Sequence, residues 1–87
     1  MARYELSFRK YVAKDFRPIP KKDVARILQR IDALQEDPRP PGSEKLSGKE
    51  RYRVRQGAYR IIYEIVDERL IVTVVKVGHR RHVYGRS

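Results

Sequence analysis

With 87 residues, no cysteine, and 21 lysines and arginines against 11 acids, the chain carries a net charge of +10. That length sets the expectation of a single domain, residues 1–87, and the missing thiols exclude disulfides and thiolate metal sites, so packing alone must supply stability. No apolar stretch approaches the roughly 20 residues of a membrane helix and Met1-Ala2-Arg3-Tyr4-Glu5 lacks a signal-peptide core, so a soluble, cytoplasmic protein with a polyanionic or acidic partner is expected.

Taken in chain order, Tyr4, Leu6 and Phe8 alternate with Glu5 and Ser7, which predicts a short strand over residues 3–8. Tyr11, Val12 and Phe16 fall near helical spacing over 9–17, and Pro18-Ile19-Pro20 ends that segment because proline donates no backbone hydrogen bond. A second helix is expected from Lys21 to about Glu36, with Val24, Ile27, Leu28, Ile31 and Leu34 on one stripe and Arg26, Gln29, Arg30 and Asp32 pointing elsewhere. Asp37-Pro38-Arg39-Pro40-Pro41-Gly42-Ser43 cannot continue it and reads as a loop. Three strands are then expected, at 51–56, 58–67 and 69–77, the last being β-branched and the most buried. Their short polar connections allow only antiparallel neighbours. Neither half is long enough to bury a core alone, so the fold class is α+β: two helices packed on a mainly antiparallel meander that the N-terminal strand extends to four strands.

Alternation puts Arg51, Arg53 and Arg55 on one face of their strand, with Tyr52 and Val54 on the other. Such a face suits phosphate, although arginines in this pattern also describe the wet side of a half-covered sheet. Tyr59 and Tyr63 share a face with Ile61 and Ile65 and read as core or core edge. Phosphodiester cleavage through metal ions calls for clustered carboxylates, and here the acids are scattered. His79 and His82 have no cysteine or acidic neighbour to complete a zinc site, so neither metal nor cofactor is expected. The other route lets the 2′-hydroxyl of RNA attack the adjacent phosphate. It needs a base, cations for the developing charge, and an acid for the departing 5′-oxygen, all of which arginine, tyrosine and histidine can supply.

The order of Tyr4-Glu5-Leu6-Ser7-Phe8, Ile31-Asp32-Ala33-Leu34, Asp37-Pro38, Lys45-Leu46-Ser47-Gly48, Tyr52-Arg53-Val54-Arg55, Gly57 to Ile65, Val77-Gly78-His79-Arg80 and Val83-Tyr84 resembles the RelE toxins of toxin–antitoxin pairs, within the RelE/ParE superfamily. The resemblance covers nearly the whole chain. It implies a curved, RelE-like sheet with two N-terminal helices, and a metal-independent endoribonuclease (an mRNA interferase) that cuts messenger RNA in the decoding site of the ribosome. A RelB-like, acidic helical antitoxin is the implied partner. By position, Arg53 and Arg55 match basic strand residues of the family, Arg60 a phosphate-binding arginine, and Arg80 and Tyr84 late active-site groups. Lys45, Lys49, Arg51 and Arg81 would add RNA-binding charge. Some members carry lysine where this chain has Arg53 and Arg55, and arginine is a poor proton acceptor. His79 or His82 would then move the proton, or the strand arginines would acidify the 2′-hydroxyl electrostatically. The alternatives are a ParE-like inhibitor of DNA gyrase and a non-catalytic module that binds RNA or the antitoxin.

Overall fold

A computed structural model describes residues 3–46 and 50–79. In chain order it contains β1 (Glu5–Phe8), α1 (Val12–Phe16), α2 (Lys21–Ala33), β2 (Glu44–Leu46), β3 (Arg51–Gln56), β4 (Tyr59–Val66), a 3-10 turn (Asp67–Arg69) and β5 (Ile71–His79). The strands form one five-stranded sheet in the order β1-β5-β4-β3-β2. β1 runs parallel to β5, and every other neighbour is antiparallel.

Four strands were expected and five are present. The extra one, β2, is three residues long and follows directly on the proline-rich loop, too short for alternation to announce it. β4 rather than β5 occupies the middle of the sheet. β5 also begins two residues later than its β-branched run suggests, because Asp67–Arg69 turn and Leu70 sits in the left-handed region at φ 55°. The hairpin between β3 and β4 closes through Gly57 at φ 61°, the positive angle that a type II′ turn requires at its first central position.

Both helices pack on one face of the sheet. α2 contributes Ile27, Ile31 and, at its C-cap, Leu34 to a core that also holds Val12, Ile19, Tyr52, Val54, Ile61, Tyr63, Ile65, Val72, Val74 and Val77. Leu28, placed on the apolar stripe by spacing, is 43% exposed and lies at its margin. The helix ends at Ala33, earlier than expected, and Leu34–Glu36 continue as a turn before Pro38. α1 is shorter than the stretch 9–17 suggests, five residues with no side-chain cap. It lies beside β5 where β1 has ended. There the Asp15 carboxylate accepts the Val77 N–H at 3.0 Å, satisfying a backbone donor on the sheet edge.

The loop after α2 is anchored at Arg39. Its guanidinium donates to Tyr52 Oη at 3.0 Å and to Asp67 Oδ2 at 2.9 Å, while Tyr4 Oη donates to Asp67 Oδ1 at 2.7 Å. One arginine thereby ties the loop to β3 and to the β4–β5 turn. Among the described residues no helix is long and apolar enough to cross a membrane.

Candidate functional site

Residues directly opposite in an antiparallel pair project to the same side, so the register decides which side chains meet. Arg51 lies opposite Glu64, Arg53 opposite Ile62, and Arg55 opposite Arg60. All four arginines therefore share the sheet face turned away from the helices. Gly78 of β5 lies opposite Arg60 and adds no side chain beside it. Arg55 is exposed, the Arg53 side chain is 12% exposed, and Arg60 is 3% exposed. The face therefore joins an accessible guanidinium to a recessed one.

Two carboxylates already sit on this face. Arg51 donates to Glu64 through Nε at 3.1 Å and Nη2 at 2.5 Å, and Arg9 Nη2 reaches the other oxygen at 3.1 Å. The Arg51 hydrogen bond, with help from Arg9 and against the opposing effect of burial, holds the Glu64 carboxyl below the usual range. Arg51 is thus committed to a structural ion pair. Arg53 pairs with Glu44 of β2, whose side chain is 61% exposed. Only the Glu44 half of this pair is well solvated, so an incoming anion that takes its place on Arg53 leaves the Glu44 carboxylate in water rather than buried and unpaired.

Other expected site residues lie elsewhere. Lys45 is in register with Tyr52, on the face opposite the strand arginines, and binds Glu50 at 3.1 Å, which raises its pKa. His79 is opposite Tyr59, on the core side of the sheet, with the two rings edge to face at 5.8 Å. With Tyr59, Lys14, Asp15, Ile19 and Lys76 it lines a cleft of about 370 Å³ beside α1. The register therefore separates His79 from Arg55 and Arg60. Lys49, Arg80, Arg81, His82 and Tyr84 lie outside the described residues. No group of three His, Asp or Glu side chains among the described residues is arranged to hold a metal ion.

Sequence reasoning missed a pocket of about 250 Å³ at the β2–β3 edge, where Arg30 of α2, Gly42 and Glu44 meet Arg53 and Arg55. Helical spacing places Arg30 only off the apolar stripe. Its place beside β3 follows from the docking of α2, which no local pattern reveals.

A family described as the ParE toxin of type II toxin–antitoxin systems, parDE, matches residues 4–84. Toxin RelG of Mycobacterium tuberculosis is 28% identical, with 95% of this chain and 98% of that protein aligned. The mRNA interferase toxin RelE of Escherichia coli K12 is 25% identical, over 97% of this chain and 93% of its own length. Among solved structures, the archaeal RelE–RelB complex of Pyrococcus horikoshii OT3 contains a chain that superposes with a TM-score of 0.80 at 30% identity, covering 100% of both chains.

Proposed function

Because this chain belongs to the RelE/ParE family of toxins of type II toxin–antitoxin systems, we propose that it is a ribosome-dependent endoribonuclease that cuts messenger RNA without a metal ion. The observation that carries this reading is the grouping of Arg51, Arg53, Arg55 and Arg60 on one sheet face away from the helices. In the reaction the 2′-oxygen attacks the adjacent phosphorus as its proton passes to water or to His82, the bond to the 5′-oxygen breaks, and that oxygen takes up a proton from the same source. Arg60 and Arg80 stabilise the charge on the phosphate, and Tyr84 positions the substrate. His79 faces the core side beside Tyr59, so the geometry favours Arg53 and Arg55 acidifying the 2′-hydroxyl electrostatically over His79 acting as the base. His82 keeps its place as a candidate.

The partner is an acidic, helical antitoxin. The net charge of +10 suits one, and the Pyrococcus horikoshii relative was solved with RelB. The site of action is the cytoplasm, where the ribosome and message are found.

Cleavage of message on purified ribosomes tests the assignment. Arg60→Ala should slow cutting by a factor of about 100–1,000, the cost of losing one preorganised donor to a developing charge. Cleavage by Arg60→Ala at the wild-type rate removes Arg60 from the site. The description of the matched family as ParE favours a second reading, inhibition of DNA gyrase. Loss of supercoiling with intact message in parallel assays would establish that reading instead.

A further inference from the structure

The pocket at the β2–β3 edge has three walls from three parts of the chain. Ser43 N–H donates to Pro40 O at 3.0 Å, and Gly42 sits at φ 92°, the angle that a type II turn requires at its third residue. This turn presses the loop toward α2, so that a Cβ on Gly42 would stand 3.9 Å from Arg30 Nη2. Arg53 and Arg55 supply the strand wall, about 7 Å apart along β3. Glu44 enters from β2 and pairs with Arg53.

Three arginines and one carboxylate therefore line the same pocket. Arg30 makes no ion pair with any described carboxylate, and the single acid present is mostly in solvent. A volume of about 250 Å³ is below the roughly 300–1,000 Å³ of pockets that enclose a whole small molecule, and suits a phosphodiester group. Arginine forks favour that ligand over a single carboxylate, because phosphate offers several oxygens to planar donors.

We propose that Arg30 extends the Arg53–Arg55 face into a backbone-phosphate subsite for RNA that flanks the reacting linkage, and that Glu44 is the resident anion which the incoming phosphate displaces. This rests on the reading of the arginine face as an RNA-binding face. The subsite extends the RNA track off the sheet and onto the end of α2. Arg30 binds and positions the strand, and takes no part in bond breaking.

Binding of a 2′-O-methyl oligoribonucleotide, which cannot be cut by 2′-oxygen attack, is measured by fluorescence anisotropy across a salt series. Arg30→Gln should weaken binding on the order of tenfold and make the logarithmic salt slope shallower by about 0.7, the loss of one phosphate contact on a single strand. Arg26→Gln removes the same charge from the exposed side of α2 and should leave the slope unchanged. Glu44→Gln, at an exposed position, should tighten binding. Equal effects of Arg30→Gln and Arg26→Gln, or unchanged affinity in Glu44→Gln, overturn the subsite. If wild-type protein binds and cleaves RNA while Arg30→Gln matches it, the subsite fails and the nuclease reading stands. If wild-type protein neither binds the oligonucleotide nor cuts message, both fall.

Discussion

The hydroxyl of Tyr63, a fully buried residue of the central strand, donates to Pro38 O at 2.7 Å. Burial pushes this phenol up to about 12, with a Ser43 hydrogen bond and the Arg30 charge opposing the rise. The folded protein thus holds a proton that the unfolded chain releases near pH 10. Tyr63 stabilises the fold in full below about pH 10, and that contribution declines as the pH rises toward 12, by about 1.4 kcal/mol per pH unit. Denaturant titrations from pH 9 upward should show this loss in wild-type protein and a shallower one in Tyr63→Phe. The variant should also be less stable at neutral pH by about 1–3 kcal/mol, since Pro38 O loses its buried donor. Equal alkaline slopes in the two proteins would count against the assignment. At the same scale, Arg51 and Arg53 show why a residue type alone does not define a binding site. Their ion pairs with Glu64 and Glu44 differ in burial, and the more exposed acid is the one a phosphate can replace.

α1 is too short to be stable alone, and its five residues owe their place to Val12 in the core and Asp15 on the sheet edge. Beyond the end of β1, β5 would otherwise present the Val77 N–H to solvent as a template for a foreign strand. Asp15→Ala should cost about 1.5–3 kcal/mol, the range for hydrogen bonds to charged acceptors. Amide hydrogen exchange at Val77 should accelerate with it, whereas exchange at Val54 on β3 should follow global stability only. Protection of Val77 unchanged in the variant would show that another group satisfies this donor. The helical spacing in residues 9–17 pointed to a helix near this position, yet its capping of β5 depends on a contact between residues 62 positions apart.

Across the whole molecule, 87 residues carry a net charge of +10. Self-repulsion on that scale favours binding of multivalent anions by the folded state. Sulfate should raise Tm more than chloride at matched ionic strength. A gain of about 1 kcal/mol corresponds to roughly 4–8 °C for a domain of this size. The double variant Arg53→Gln/Arg55→Gln should lose most of the difference, while retaining the general salting-in or salting-out effect common to both proteins. An undiminished sulfate effect in the double variant would place anion binding away from this face.

Periodicity made much of the fold legible because it reports burial directly. The stripe of Val24, Ile27, Ile31 and Leu34 and the alternation in β3 and β4 required no knowledge of neighbours, and neither did the common face of Arg51, Arg53 and Arg55. Residue order was also enough to expose the family resemblance. Chain pattern left the cross-strand register open: the two-residue turn at Gly57 sets it for β3 and β4, and packing summed over several elements sets it for the rest. That register set Arg60 beside Arg55, turned His79 toward the core, and put Lys45 on the opposite side from the strand arginines. The three-residue β2 was likewise invisible, since its strand geometry comes from pairing with β3 rather than from any preference of Glu44-Lys45-Leu46. Local sequence specifies which face of an element avoids water; only the assembled sheet decides which charges then share that face.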